Sequence, residues 1–397
     1  MLNYHDKHMT RAQRINSGGL MNLKEFYPNV PTPYIPQKLP IDLSKYLFDS
    51  ETIGLIAKAN NAIGAYRGFL LNTINPMLLI SPLVSQEAVL SSKLEGTHAT
   101  IEDFINFDAG IKVSIPKDEM KEVMNYRSSL YYAIDRMSTF SDDSDNGQHK
   151  LPLCVRLIKE MHKILLDNVR GQTKSPGEFK TAQNYIGSSD AITFTPLPPE
   201  LTLDYMSNLE QYIHSDEVDL LVQTAMIHCQ FEMIHPFKDG NGRIGRLLIP
   251  LFLYYRGVLP VPTFYMSAFF QKDRSLYLEK LSAVSKNNDY GIWIRYFLDG
   301  IIQQAELNTQ KAKALLDMYN AFKDICISKI GSKYAILLLD EVFKRPAFKT
   351  SQLQNAIPGS KGTLYNILDQ FVANGILQKD EKVKNATYFC PDILTLL

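Results

Sequence analysis

A twelve-residue stretch, residues 235–246, places side chains that could act on protons, metal ions and phosphates close together. Its sequence is HPFKDGNGRIGR, with one histidine, one carboxylate, two glycines around an asparagine and two arginines three residues apart. Histidine exchanges protons near neutral pH, carboxylates bind Mg²⁺, and glycine lets a phosphate approach the backbone. The combination predicts phosphoryl or nucleotidyl transfer by positioning and charge stabilisation.

Two helices must hold this stretch in place. The segment from Asp216 to Ile234 is long and apolar, which predicts a buried helix. Pro236 disfavours helical geometry at His235, so we expect the helix to end about there. Apolar residues at helical spacing after the motif predict a second helix that begins near Asn241 or Gly242.

The turn before the second helix is predicted to bind phosphate. Gly240, Asn241 and Gly242 would lie at the helix N-terminus, where unpaired backbone N–H groups form an anion site. Arg243 and Arg246 would lie in the first turns, where the helix dipole disfavours cations unless an anion is bound. A triphosphate would be such an anion.

Asp239 and His235 complete the predicted chemistry. The Asp239 carboxylate would be repelled by the phosphates unless a cation lay between them, which predicts Mg²⁺ at this residue. His235, at the end of the preceding helix, is predicted to take a proton from an incoming hydroxyl. His228 lies seven residues earlier, but no third metal ligand accompanies the two histidines. We therefore expect His228 and the neighbouring Cys229 to be buried core residues.

The stretch resembles the Fic family motif, in which His, Pro, Phe, Asp or Glu, Gly-Asn-Gly and two Arg are fixed. All nine positions match. The resemblance implies transfer of AMP from ATP to a Ser, Thr or Tyr hydroxyl of a target protein. It extends over roughly residues 25–310. Residues 176–199 are similar to the family's flap hairpin, which docks the target as an added strand, although Lys180 stands where Arg is more common. Tyr277 falls where relatives place a residue near the adenine.

A second pattern, Ser91 to Gly96, resembles the family's inhibitory helix motif. Ser81 and Pro82 suit the start of a helix, and Gly96 suits the position after its end, which predicts a helix over 81–96. Ser91 and Glu95 are four residues apart and share a face. A carboxylate at the negative end of a helix favours a cation partner, and the resemblance implies that this partner is Arg246. The alternative is a solvated glutamate before a helix-ending glycine.

Composition sets the outer limits. The chain has 397 residues, 45% of them hydrophobic, with 42 basic and 42 acidic side chains. The zero net charge predicts no general attraction to nucleic acid or to membranes. Four widely spaced cysteines form no metal or redox motif, which is typical of reduced thiols in the cytoplasm. Met1 to Gly19 lacks the apolar core of a signal peptide, and the longest apolar stretch, Leu247 to Tyr255, is too short to cross a bilayer.

Three regions are predicted in a mainly α-helical protein. Residues 1–44 form a proline-rich arm, and residues 45–315 form the Fic-type helical core with the small β-hairpin flap. Residues 318–397 resemble a winged helix-turn-helix: a helix over 334–343, a short helix from Lys349, a helix over 359–375 and a hairpin. Eight basic and six acidic residues from 331 to 397 leave DNA binding and protein contact or homodimerisation equally open.

Three alternatives to AMP transfer stay open at this point. The same motif would also serve transfer of another phosphate-containing group, or removal of AMP, because family relatives vary the donor on one scaffold. A DNA-binding regulator that uses the Fic core as a sensor is the third. The sequence does not name the target protein.

Overall fold

Long apolar segments with helical periodicity dominate the chain, and the fold is accordingly built mostly from helices. The computed structural model describes residues 31–73, 77–137, 150–167, 174–187, 192–217, 219–353, 356–380 and 386–397. Residues 1–30 of the predicted arm lie outside this set. Residues 31–43 contain no helix or strand, as the prolines predict, and Leu39 is fixed to the body by two hydrogen bonds with the Asn208 side chain.

Up to residue 289, the described part of the chain forms eleven α-helices, one 3₁₀ turn (Pro199–Leu201) and one hairpin. In order these are α1 (Ser44–Leu47), α2 (Ser50–Leu71), α3 (Met77–Leu94), α4 (Ile101–Asp108), α5 (Lys117–Arg136), α6 (Val155–Leu165), β1 (Ile186–Gly187), β2 (Ile192–Phe194), α7 (Thr202–His214), α8 (Leu220–Ile234), α9 (Asn241–Tyr255), α10 (Ser267–Lys272) and α11 (Arg274–Asn287). The antiparallel pairing of β1 with β2 confirms the predicted flap hairpin. Residues 188–191 lie outside the described residues.

The two helices that flank the motif lie at the centre of the core. Every residue of α8 from Leu221 to Ile234 is buried, as expected for a helix that is apolar on all sides. The predicted start at Asp216 is wrong, because the Asp219 carboxylate accepts hydrogen bonds from the N–H groups of Leu221 and Val222 and caps the helix there. Helix α9 begins at Asn241, which confirms the predicted start.

Helix α3 differs from its prediction at one end and agrees with it at the other. It begins at Met77, before the predicted Ser81–Pro82 start, because the apolar residues 77–80 extend the helix, and Pro82 lies inside it, where its missing N–H removes one backbone hydrogen bond. At the C-terminus, Gly96 has φ 94°, and the N–H groups of Gly96 and Thr97 donate to carbonyls of the last turn. These two hydrogen bonds form a Schellman motif, which confirms Gly96 as the residue that ends the helix.

The remaining elements include one long helix and the small C-terminal sheet. They are α12 (Tyr290–Ile325), a π-helical turn (Cys326–Ile330), α13 (Ala335–Lys344), β3 (Ala347–Lys349), α14 (Thr350–Leu353), α15 (Lys361–Ala373), β4 (Gln378–Asp380), β5 (Thr387–Phe389) and α16 (Pro391–Leu396). Helix α12 packs along α2, and the predicted boundary at 315–318 lies inside α12, so the division into domains stays a prediction. Trp293 of α12 is fully buried, and its indole N–H donates to the Ala225 carbonyl at 2.8 Å.

The C-terminal helices and hairpin appear where the sequence predicts them, with one correction. Lys349 was predicted to begin a helix, but Ala347–Lys349 is a strand that pairs with β5 in a three-stranded sheet of order β3-β5-β4. This strand pairs with residues about 40 positions further along the chain, and a pattern of neighbouring residues cannot indicate such a distant partner. The assignment as a winged helix-turn-helix stays a prediction.

This C-terminal part packs directly on the helices that precede the motif. The Ser81 hydroxyl donates to the Lys344 carbonyl at 2.7 Å, and Lys349 Nζ donates to the Gly110 carbonyl at 2.6 Å. Helix α13 therefore lies against α3, the helix that carries Ser91. Among the described residues, no helix is both long and apolar enough to cross a membrane.

Candidate active site

His235 occupies the junction between α8 and the motif loop. The helix ends at Ile234, and His235 takes a left-handed backbone conformation with φ 48° and ψ 61°. This confirms the predicted helix end, and it is a sparsely populated conformation for a residue other than glycine, which the surrounding structure has to support. The side chain is 16% exposed, so part of the ring faces solvent.

The segment before the flap hairpin supplies that support. Asn184 Nδ2 donates to the carbonyls of His235 at 3.0 Å and of Phe237 at 2.9 Å. Lys180 Nζ donates to the Ile234 carbonyl at 3.0 Å and to Asn184 Oδ1 at 2.9 Å. Lys180 is buried, and burial lowers the pKa of its ammonium group to about 7. These two residues fix the backbone around His235, a role that the sequence did not predict for Asn184.

The side chain of Asn241, in the predicted phosphate turn, bonds to the backbone of the same loop. Asn241 is buried, its Oδ1 accepts from the Phe237 N–H at 2.8 Å, and its Nδ2 donates to the Phe237 carbonyl at 2.7 Å. The Asn241 side chain therefore shapes the loop, which refines its predicted role as a phosphate ligand. Backbone N–H groups of Asn241, Gly242 and Arg243 belong to the first turn of α9, where no intrahelical carbonyl reaches them.

His162 on α6 supports the same loop from the other side. Its ring stacks on Phe237 with centroids 3.7 Å apart. The Gly177 N–H donates to Nδ1 at 2.9 Å, so Nε2 carries the proton and donates to the Asp239 carbonyl at 2.9 Å. Burial lowers the pKa of His162 to about 4. The sequence did not single out His162, because its three contacts are 15 to 77 residues away in the chain.

We expect His162→Phe to reduce stability and to weaken its pH dependence. Phenylalanine keeps the stacking but removes the partner of the Gly177 N–H and of the Asp239 carbonyl, at a cost of about 2 to 4 kcal/mol near neutral pH. Unfolded histidine titrates near 6.5 and folded His162 near 4. The unfolded state therefore takes up protons first, and stability falls as the pH is lowered between these values.

Urea unfolding at pH 7.5 and 4.5 measures both effects. The exposed His98 provides the matched control as His98→Gln. A His162→Phe variant that loses as much stability on acidification as the wild type would contradict the role of His162 as a buried neutral side chain.

Arg246 forms the predicted ion pair with Glu95. Arg246 Nη2 lies 2.8 Å from Glu95 Oε1, and Nε donates to the Ser91 hydroxyl at 2.8 Å. Nη2 also donates to the Ser91 carbonyl at 2.9 Å. Burial acts to raise the pKa of Glu95, but the Arg246 charge and hydrogen bond outweigh it and hold the pKa below its ordinary value. Ser91, in the last turn of α3, and Glu95, just after the end of α3, therefore both contact Arg246.

Gly242 leaves the room that this pair occupies. A Cβ atom at Gly242 would lie 2.2 Å from Glu95 Oε1 and 2.9 Å from Arg246 Nη1. The Glu95 carboxylate thus lies directly over the first turn of α9, where the N–H groups make an anion site. The carboxylate therefore lies beside the turn that the sequence assigned to a phosphate.

Arg243 is also placed between carboxylates. It is 4% exposed, and its guanidinium nitrogens lie 3.4 Å from Glu122 Oε2 and 3.6 Å from Asp239 Oδ1. Its Nε is buried without a hydrogen-bond partner among the described residues. The Glu122 contact, from α5, could not be predicted from local sequence.

His228 and Tyr277 meet below this turn. His228 is fully buried, its Nδ1 is 2.9 Å from the Gly245 carbonyl, and its Nε2 is 3.0 Å from the Tyr277 hydroxyl. The prediction that His228 and Cys229 are core residues is confirmed. Tyr277 is 4% exposed, so its predicted contact with adenine stays a prediction.

The arrangement fits a bound divalent cation at Asp239. The Asp239 side chain is 37% exposed, and its Oδ1 accepts from the Gly240 N–H at 2.6 Å. No cluster of three or more His, Cys, Asp or Glu able to hold a metal occurs among the described residues. One accessible carboxylate suits Mg²⁺, which keeps several waters and takes its other ligands from phosphates.

Two family models match the chain. The Fic/DOC family model matches residues 152–253, which contain His235 and the turn at the start of α9. The Fic/DOC family N-terminal model matches residues 53–135, which contain α3 with Ser91 and Glu95.

The chain is similar to several curated protein adenylyltransferases over part of their length. It is 30% identical over 120 residues to protein adenylyltransferase fic-1 of Caenorhabditis briggsae. This alignment covers 27% of this chain and 23% of that protein. It is 34% identical over 115 residues to protein adenylyltransferase Fic of Drosophila grimshawi, which covers 28% of this chain and 22% of that protein. The match thus spans less than a quarter of each of these relatives.

Solved structures share the fold. A Fic family protein from Desulfovibrio desulfuricans superposes with a TM-score of 0.57 at 17% identity, over 87% of this chain and 97% of that one. A fragment of Fic-1 from Caenorhabditis elegans superposes with a TM-score of 0.51 at 17% identity, over 70% of this chain and 79% of that one. At these identities the likeness concerns the fold alone.

Proposed function

Since the chain belongs to the Fic/DOC family, we propose that it transfers AMP from ATP to a hydroxyl group of a target protein and of itself. One observation carries the proposal. His235, the first turn of α9 and both arginines converge on one loop. A base, a phosphate site and cations are the parts that nucleotidyl transfer needs.

In the proposed reaction, His235 takes the proton of the incoming hydroxyl. The hydroxyl oxygen forms a bond with the α-phosphorus, while the bond from that phosphorus to the oxygen bridging to the β-phosphate breaks. Pyrophosphate leaves with the electron pair. Backbone N–H groups at the start of α9, Arg243 and Arg246 hold the phosphates. Mg²⁺ at Asp239 would offset phosphate charge when bound.

Transfer from labelled ATP tests this function. ATP labelled at the α- or γ-phosphate is incubated in parallel with the Glu95→Gly variant and a native lysate. We expect only the α-label on protein. Transfer of the γ-label would instead establish phosphoryl transfer, and loss of label from AMP-modified protein without any transfer would establish AMP removal. The absence of all three would overturn the proposal.

We expect Asp239→Ala to remove Mg²⁺-dependent transfer. Asp239 is the only carboxylate in the loop from 235 to 241, so its loss removes the negatively charged oxygen ligand beside the phosphates. Transfer is measured over a Mg²⁺ titration, with the exposed Asp118 of α5 as the matched control, Asp118→Ala. An Asp239→Ala variant that keeps both its rate and its dependence on Mg²⁺ would refute the metal role.

A further inference from the structure

Glu232, outside the motif, places its carboxylate beside His235. It lies on the last turn of α8, three residues before His235, and its Oε2 is 3.6 Å from His235 Nδ1. Glu232 is 8% exposed. A buried carboxylate next to the proposed base is a costly arrangement unless the two groups interact.

Both groups have an unused hydrogen-bonding atom. His235 Nδ1 and Glu232 Oε1 are buried without a hydrogen-bond partner among the described residues. The exposed part of the His235 side chain therefore lies elsewhere, and Nε2 is the one ring nitrogen that a hydroxyl can reach. The distance of 3.6 Å exceeds that of a hydrogen bond, but catalytic hydrogen bonds are often long before the substrate binds.

The neighbouring groups are occupied by other partners. Arg246, which faces Glu232 from α9, donates to Ser91 and Glu95. Both nitrogens of His228 are engaged with Gly245 and Tyr277. His235 Nδ1, which is buried without a hydrogen-bond partner among the described residues, lies beside Glu232.

Gly245 on α9 leaves the space for this carboxylate. A Cβ atom at Gly245 would lie 2.2 Å from Glu232 Oε1. The absence of a side chain at Gly245, in the Arg-Ile-Gly-Arg segment, therefore makes room for the Glu232 carboxylate and not for a phosphate. Packing across the two helices accordingly holds the carboxylate near His235.

We propose that Glu232 is a positioning residue that accepts the Nδ1–H of His235. Resting on the proposed function, this assigns Nε2 as the base. The hydroxyl proton moves to Nε2, the Nδ1 proton stays on the ring, and the Glu232 charge stabilises the imidazolium that forms. Glu232 itself takes up no proton. The backbone at His235 sets the ring's position, and Glu232 sets its rotation and tautomer.

Steady-state kinetics of Glu232→Gln is the first test. We expect kcat for self-modification to fall by about 100-fold, while ATP affinity by calorimetry is unchanged, because the base contributes about 10²- to 10⁴-fold. Gly245→Ala, which displaces the carboxylate without removing it, should reproduce the loss. Glu160→Gln on α6, whose side chain is bonded to Tyr132 and Arg156, is the matched control. Equal losses in kcat and ATP affinity would overturn the positioning role.

The ring tautomer gives a readout that needs no activity. In protein labelled with ¹⁵N-histidine, the wild type should show His235 protonated at Nδ1, with its signals assigned by their loss in His235→Ala. Glu232→Gln should shift the population toward protonation at Nε2. A wild-type His235 protonated at Nε2 would overturn the proposal even if AMP transfer is confirmed. The expected tautomer with no transfer by any variant would instead count against the proposed function.

Discussion

Replacing His235 with alanine is expected to abolish AMP transfer while ATP still binds. A general base contributes about 10²- to 10⁴-fold to the rate, so the loss should lie in this range or beyond. The groups proposed to bind the phosphates belong to the start of α9 and to the two arginines, and none of them depends on the imidazole. The variant should therefore lose transfer of α-labelled AMP but keep the ATP affinity that calorimetry measures.

The left-handed backbone of His235 calls for a second variant. Alanine is strained at φ 48°, whereas asparagine adopts this conformation more readily. His235→Asn should keep the loop and still lose transfer, and His98→Ala, at an exposed position, should keep both properties. If ATP affinity and transfer fall together in both His235 variants, the residue is structural and the proposed base is wrong.

The sequence predicts the backbone of the motif loop well because a few adjacent residues determine that backbone. Helix α8 ends where Pro236 disfavours helix, α9 begins at Asn241, and Gly96 ends α3 as its type suggests. Each of these depends on backbone preferences of a few adjacent residues. The pairing of Glu95 with Arg246 crosses 151 residues, and it was predicted from the family resemblance and not from spacing.

The parts that escaped prediction depend on distant contacts. His162, Asn184 and Glu122 bond the loop from 51 to 121 residues away, and nothing in their own neighbourhoods marks them. Glu232 lies only three residues from His235, but its meaning depends on the space left by Gly245 of α9. The predicted helix start at Ser81 is wrong because the prediction placed Pro82 in the first turn, whereas Pro82 lies inside α3, which begins at Met77.

Glu95→Gly is expected to raise self-modification strongly. Glu95 occupies the guanidinium of Arg246 and lies over the first turn of α9. We propose that ATP can bind to this arrangement only with displaced phosphates, so that the α-phosphate does not line up with the incoming hydroxyl. Misplacement of about 1 Å can cost about 100-fold in rate, which sets the size of the expected activation. Adenosine affinity need not change.

Three further variants separate inhibition from a general loosening of α3. Arg246→Ala should stay inactive even when combined with Glu95→Gly, because the cation itself holds the phosphate. Ser91→Ala removes one of the hydrogen bonds to Arg246 and should activate only weakly. The exposed Glu102 of α4 provides the control as Glu102→Gly, which should behave like the wild type. If Glu95→Gly also has wild-type activity at every ATP concentration, Glu95 is a helix-end residue and the activity is not controlled from α3.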